Sequence, residues 1–512
     1  MRLPTEEQIS YAAAEVPAPS AVGLAIHFLR DRWALILVLS GLVLIPCYWH
    51  RRIEAGDLGS HTYNAWLSVL VKQGRAPGLY LAHQWNNVIV DSLLTWFGAH
   101  LGFIAAERIV VSLCVLVFFW GAFAFISAAT LRPPWYLTPA IAMIAYGYTF
   151  YVGFMNFYLS AGLALLAAAV FWRGTRIDWI AGSILAVLTL MAHPIGFGLL
   201  VALVAYIRLA ESTRGWGRWI VFALGLLTLV ALHFAVHRFR AEGGFGPRFV
   251  LMNGADQLVL FGERYRLLAE YLLVFGSCAF LAAAMHDRKR HPLLQWFQTP
   301  LQLWAIFVFA AAVLPGTIWF PQYAAAVSSI NSRLTTVTAV LGLCVLGSVQ
   351  PRKWMLAALS IFAAVYFTLQ YRDTAILNNM EQQVQNLVST LPVGTRVAYT
   401  IDFGNDSRIN SRHMVDRACI EKCFTYSNYE PATQQFRLRV SPQGSPIIST
   451  SGLDIEHGDY VVRPEDLPLA QIYQSDESDL TRLSIRSLSA GEKNGRIGHH
   501  HPPSDTPKTP PH

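Results

Sequence analysis

The chain reads as an α-helical integral membrane protein, and three observations lead there. Of its 512 residues, 54% are hydrophobic and only 14% charged, with a mean hydropathy of +0.38, too apolar for an ordinary soluble domain. The apolar residues gather into runs of membrane-spanning length. The basic residues stand in short clusters between those runs, where they set topology. The formal net charge of +7 is scattered, with no face or block concentrating it, so no nucleic-acid partner is expected.

Residues 1–32 form a cytoplasmic tail on this reading. Glu6 and Glu7 interrupt the start, and no cleavable signal peptide precedes the first run, which is a retained anchor. Apolar runs lie at 33–49, 107–130, 136–151, 154–172, 178–192, 194–210, 217–236, 267–285, 300–320, 334–349 and 354–371, about eleven spans. The stretches 136–172 and 178–210 are each too long for one span and tight for two. Two spans in each put Arg30/Arg32, Arg132, Arg173/Arg176, Arg208/Arg214/Arg218, Arg288/Lys289/Arg290 and Arg352/Lys353 on the cytoplasmic side. The expected protein is thus a multi-pass plasma (inner) membrane protein, with its polytopic part at 33–371. Outside the cytoplasm it carries loop 50–106, loop 237–266, a domain at 372–488 and a disordered Pro-rich tail at 489–512. Arg238, Arg240, Arg248, Arg264 and Arg266 run against the positive-inside bias. They are either tolerated or a basic surface for phosphate-bearing membrane lipid.

The first outer loop opens with "GDLGSHTYNAWLSVLVKQG". After Ser60, read as the N-cap, Tyr63, Trp66, Leu67, Leu70 and Val71 make an apolar helical stripe, and His61, Asn64, Ser68 and Lys72 make the opposite one. Such an amphipathic helix is expected to lie flat in the membrane interface, with Asp57 and His61 at its amino end. Trp85, Asn86 and Asn87 then precede a second amphipathic segment bearing Asp91.

An acid soon after span one, interfacial helices in the first outer loop, and a bundle followed by an outer carboxy-terminal domain resemble the GT-C class of polytopic glycosyltransferases. Many members carry an Asp-Glu pair where this chain has Asp57-Leu58, with Glu54 three residues earlier. The resemblance implies sugar transfer on the outer face from a polyprenyl-phosphate sugar donor, with the loop-one acid activating or orienting the acceptor.

Glycosyl transfer with inversion calls for the same residue types. It needs a base at the acceptor hydroxyl and stabilisation of the departing phosphate. Asp57 is the candidate base, and the structural alternative is that it caps its helix or pairs with Arg51 or Arg52. His61 orients Asp57, binds phosphate, helps hold a divalent metal at i, i+4, or is simply solvated. Asp91 is a substrate-binding candidate or an ordinary polar-face residue. His193, exposed where Pro194 breaks a helix, Asn156 at an outer turn, and Arg333 at the outer start of a span point to the same surface. Their alternatives are capping and snorkelling. Trp85 and Asn87, with Tyr148, Phe150, Tyr151 and Trp319, are candidates for a sugar or prenyl pocket, although interfacial aromatic belts look the same. Asp57, His61, His193 and Arg333 are expected to share an outward-facing cavity.

"TRVAYTIDF" and "QQFRLRV" alternate like strands, so the outer domain is expected to be mixed α/β or β-rich. Cys419 and Cys423, outside the apolar runs, form a disulfide in an oxidising compartment more readily than a zinc site, which lacks a second ligand pair. Two rival functions remain at this stage, a lipid or polysaccharide transporter or flippase and a non-catalytic scaffold. The first is weakened because Glu107, Arg108, His233 and Glu270 fall towards span ends rather than mid-span.

Overall fold

The computed structural model describes residues 20–242, 252–287, 299–319, 326–349, 352–401, 403, 407, 409–476 and 479–495. In chain order the helices are α1 (Ala21–Leu44), α2 (Leu58–Lys72), α3 (Ile89–Leu101), α4 (Phe103–Thr130), α5 (Thr138–Ala145), α6 (Tyr148–Val152), α7 (Met155–Arg173) and α8 (Arg176–Ala192). They continue with α9 (Pro194–Ser212), α10 (Trp216–Val236), α11 (Glu263–Asp287), α12 (Thr299–Val313), α13 (Ile330–Gly347), α14 (Lys353–Ser389), α15 (Met414–Ala418) and α16 (Gly452–His457). The strands are β1 (Leu79–Leu81), β2 (Arg240–Glu242), β3 (Thr317–Trp319), β4 (Arg396–Thr400), β5 (Phe424–Thr425), β6 (Leu438–Val440), β7 (Leu469–Gln474) and β8 (Leu483–Leu488).

Among the described residues seven helices, α4, α7, α9, α10, α11, α13 and α14, are long and apolar enough to cross a membrane, and α12 is a shorter apolar helix. Their outer surfaces suit lipid. In α10, Trp216 is 83% exposed and Phe234 70%, a display that water would disfavour and hydrocarbon would not. The polar ends are fixed locally. Thr175 and Asp178 form a capping box at the start of α8, and Asp178 also accepts from the Val22 amide of α1 at 3.1 Å, tying the two helices together.

Several expected boundaries shift. The run at 33–49 belongs to a helix that begins at Ala21 and gives way to a one-turn 3-10 helix at Ile45–Cys47. The run at 136–151 breaks at Tyr146–Gly147 into α5 and α6, neither long enough to span. The carboxy-terminal segment does not begin as a separate unit at 372. Instead α14 runs 37 residues, about 55 Å at 1.5 Å per residue, well past a hydrocarbon layer of ~30 Å.

Beyond α14 lies a four-stranded mixed sheet in the order β5-β4-β7-β8. β4 is parallel to β5 and β7, and β8 is antiparallel to β7. The "QQFRLRV" strand does not join this sheet. β6 pairs antiparallel with β1, Leu79 opposite Val440, so the segment after α2 and the carboxy-terminal segment share a ladder. α2 packs between α3 and α15. The reading of α2 as a helix with a solvated polar face is therefore corrected: residues from Leu58 to Leu70 are mostly buried, including Ser60, His61 and Thr62, because Asp91 of α3 and the carboxy-terminal segment cover the polar stripe that was expected to face water.

Order also continues past 489. Lys493 bridges to Val461, and the buried Asn494 side chain donates to the Ile455 carbonyl at 2.6 Å, so residues 489–495 are not the disordered tail expected there; 496–512 lie outside the described residues. Cys419 and Cys423 are joined by a disulfide. Replacing both with Ser is expected to lower stability by about 2 kcal/mol, since so short a loop restricts little unfolded-chain entropy, and the check is unfolding in detergent against wild type.

Candidate functional site

Asp57 occupies the N-cap position of α2, yet its carboxylate makes no capping hydrogen bond. The Ser60 assignment is corrected accordingly: Ser60 lies inside the helix and is buried. Nor does Asp57 pair with the neighbouring arginines, because Arg51 donates to Gln382 at 2.6 Å and Arg52 stands 3.5 Å from Glu381. Its backbone, by contrast, is held firmly. The Gly56 and Asp57 amides donate to the Tyr151 and Val152 carbonyls of α6, each at 2.8 Å. Gly153 follows with φ +90°, and a Cβ there would come 2.5 Å from the Asp57 nitrogen, so only glycine allows the approach. The result is a fixed backbone that presents the carboxylate, 31% exposed, to His413 Nε2 across 3.8 Å.

Around it stand two chains of buried polar groups. On the bundle side, His61 Nδ1 lies 2.8 Å from Asp91 Oδ1, and the other Asp91 oxygen accepts from Asn156 Nδ2 at 3.0 Å. Asn156 sits in the first turn of α7, where its Oδ1 takes the Val90 amide at 2.9 Å. Three predicted residues thus form one relay that begins one helical turn from Asp57. On the side of the carboxy-terminal segment, His413 Nδ1 is 2.6 Å from Asp416 Oδ2 and 3.2 Å from the Tyr399 hydroxyl, which donates to Glu456 at 2.7 Å. Between the two chains, Glu430 accepts from Asn64 at 2.6 Å.

The remaining predicted residues fall out differently. His193 is the N-cap of α9, its Nδ1 accepting from the Ile195 amide at 3.1 Å, which is the capping alternative. Arg333 stacks over Phe154 and Phe157 at 4.4 and 5.7 Å and donates to the Ser328 carbonyl at 3.0 Å, and Asp57 is the charge that acts on it. Asn87 adopts a left-handed turn at φ 55° before α3. Trp85 stands 57% exposed. Phe150 and Tyr151 are buried core residues rather than pocket walls, and Trp319 lies under Arg240 at 4.8 Å. Of the outer-loop arginines, Arg264 pairs with Asp373 and Arg266 with Glu263 and Glu270, while Arg248 lies outside the described residues. Cavities of about 610 and 550 Å³ are lined by other residues: Arg52, Glu107 and Arg417 in the first, Leu272, Phe275 and Trp304 in the second. Among the described residues no group of three or more His, Cys, Asp or Glu side chains is arranged to hold a metal, and His61 Nδ1 is turned to Asp91.

Electrostatically, four groups of this cluster hold protons more tightly than usual. Burial opposes charge on His61, but Asp91 overcomes it and pushes the ring up to about 9. Burial likewise opposes charge on His413, and Asp416 overcomes it, to about 10. Burial pushes the carboxyls of Glu430 and Glu456 up to about 7, with His61 and His413 pulling the first back and His413 the second. Each group is raised in the folded state. Its contribution is therefore fully present below the ordinary value, 6.5 for the imidazoles and 4.5 for the carboxyls, and lost as pH rises through the shifted one. Thermal stability in detergent is expected to fall with rising pH over two overlapping windows, from 4.5 to about 7 for the carboxyls and from 6.5 to about 9 and about 10 for the imidazoles. A profile flat from pH 5 to 10 would show that the cluster is not closed as described.

His413, Asp416, Tyr399, Glu430 and Glu456 escaped the sequence reading. The one local signal was His413 and Asp416 at i, i+3 in "RHMVDRACIEKC". Comparison of the chain with models of known protein families returns no match, and comparison with curated proteins returns none either.

Proposed function

We propose that the chain is an integral membrane glycosyltransferase of GT-C type, with about eleven spans, a cytoplasmic amino terminus and the outer segment on the extracytoplasmic face. It moves a sugar from a polyprenyl-phosphate-linked donor to an acceptor hydroxyl. The observation that carries this reading is Asp57: a carboxylate on a firmly held backbone that neither caps its helix nor pairs with Arg51 or Arg52, partly open, where the helical bundle meets the carboxy-terminal segment. A group kept this way suits a base, since a structural carboxylate at an N-cap would bond the helix amides.

In the reaction the acceptor oxygen attacks the anomeric carbon opposite the phosphate. The carbon–oxygen bond to phosphate breaks with its electron pair left on the phosphate oxygen, and the hydroxyl proton passes to Asp57. Arg333, beside the start of α13, where the N-cap Ser329 makes no side-chain hydrogen bond, is the group suited to the departing phosphate. The Cys419–Cys423 disulfide supports an oxidising outer compartment. The second reading, a lipid transporter or flippase, draws on the apolar 550 Å³ cavity among α11, α12 and α13.

Purified protein supplied with radiolabelled polyprenyl-phosphate sugars tests the first reading directly. Label should leave the donor in wild type and stay there in Asp57→Asn. Donor untouched by wild type, with labelled lipid moved between leaflets of proteoliposomes, would replace it with the second.

A further inference from the structure

We propose that His413 is a positioning residue for Asp57, brought to the site by the outer segment: Asp416 grips one ring nitrogen and the other faces the Asp57 carboxylate across 3.8 Å. The inference rests on reading Asp57 as the site's base, and it makes the site incomplete without the chain beyond α14.

The geometry is built for this contact. Asp416, whose side chain is wholly buried, takes His413 Nδ1 at 2.6 Å, which leaves Nε2 as the only ring nitrogen free to reach outward. The ring is enclosed from every neighbouring element. Tyr399 comes from β4, Glu456 from α16, and Tyr429, whose ring lies 6.0 Å away, from the segment after β5. The Glu456 carboxylate takes the Tyr399 hydroxyl at 2.7 Å on one oxygen and has Arg412 4.0 Å from the other. The backbone is pinned as well. A Cβ on Gly59, in the first turn of α2, would lie 2.2 Å from the His413 carbonyl, so a helical glycine, which costs about 1 kcal/mol against Ala, is kept where α2 and His413 touch.

A ring fixed on both flanks and carrying a proton on each nitrogen can fix the orientation of the carboxylate opposite. Burial works against that charged form, but Asp416, then Glu456 and Asp57, overcome it and push the ring up to about 10. Removing His413 leaves Asp57 in place but free to rotate, and a reacting group displaced by about an ångström loses about a hundredfold in rate.

The test has one arm without substrate and one with it. In ¹⁵N-histidine-labelled protein in detergent, one ring that disappears in His413→Gln should stay doubly protonated until about pH 10. Its Nε2 resonance should move in Asp57→Asn, and its titration should fall by about one unit or more in Asp416→Asn. In the transfer assay, His413→Gln should lower kcat about a hundredfold with KM for the donor changed less than about twofold. A ring that Asp57→Asn leaves unmoved overturns the pairing, and so does His413→Gln transferring at the wild-type kcat. Asp416→Asn keeps the imidazole in place and carries the test if His413→Gln does not fold. Should wild type transfer no sugar, the functional reading fails, while the ring measurement still decides whether His413 holds Asp57.

Discussion

Asp57→Asn is expected to lower sugar transfer by about 10²- to 10⁴-fold, the contribution of a positioned general base, with the fold intact. Both halves of that expectation come from the same observations. The change is isosteric, and the carboxylate supplies no helix cap, no arginine pair and no backbone contact that an amide would forfeit. What holds the residue is its own amide on Val152 and the close approach of Gly153, neither of which depends on the side chain. The one contact that an amide weakens is the 3.8 Å approach to His413, so the stability change should stay within about 1 kcal/mol. Rate and unfolding measured on one preparation separate the roles: slow and stable identifies the base, whereas slow and unstable returns Asp57 to architecture. Equal transfer by both proteins removes it from the chemistry. Asp91→Asn makes the useful contrast. Asp91 takes hydrogen bonds from His61 and Asn156, so its loss should disturb folding and transfer together.

The legible part of this molecule is the part that lipid dictates. A backbone in hydrocarbon must satisfy its own hydrogen bonds, and most of each apolar run expected from the sequence is helix, although 136–151 breaks at Tyr146–Gly147 and 300–320 leaves helix after Val313 and enters β3. The position of Asp57 at the start of α2 was legible too, from the stripe of Tyr63, Trp66 and Leu70. What failed was the environment of that stripe. His61, Asn64 and Ser68 read as a solvated face, yet Asp91, Glu430 and Asn428 cover it from segments 30 to 366 residues away. Helical periodicity tells which residues share a face, and it says nothing of what lies against that face. His413 and Asp416 were out of reach for the same reason: a five-residue helix has too few turns to show a period, and its meaning comes from docking against Gly59. The strand at Leu438–Val440 was recognised by alternation, but its partner β1, three residues long, left no pattern to find.

The docking that hid the site from the sequence depends on one buried cation, and Arg417→Ala is expected to destabilise the protein by roughly 3–5 kcal/mol. Arg417 donates to Glu381 of α14 through Nε at 3.0 Å and through a second nitrogen. It also reaches the Ile53 carbonyl at 2.8 Å, Glu107 at the start of α4 at 2.9 Å and Glu54 at 3.4 Å. Four separated stretches of chain are thus fastened at one guanidinium, and no lysine could reach them all from a single nitrogen. The burden of removing it falls on what stays behind. Three buried carboxylates, Glu54, Glu107 and Glu381, would be left with Arg52, 3.5 Å from Glu381, as their one ion-pair partner among the described residues, and with only the neutral donors Thr62 and Gln385 besides. Burial already pushes the Glu54 carboxyl well above its usual range with Arg417 present. A group raised on folding adds stability below its ordinary value and loses it as pH rises, so the loss in Arg417→Ala should grow from acid to alkaline pH. Unfolding in detergent across that range checks the sign. The companion variant decides the cause: adding Glu107→Gln to Arg417→Ala removes one stranded charge and should recover part of the loss, whereas lost packing alone would leave the double variant no better than the single.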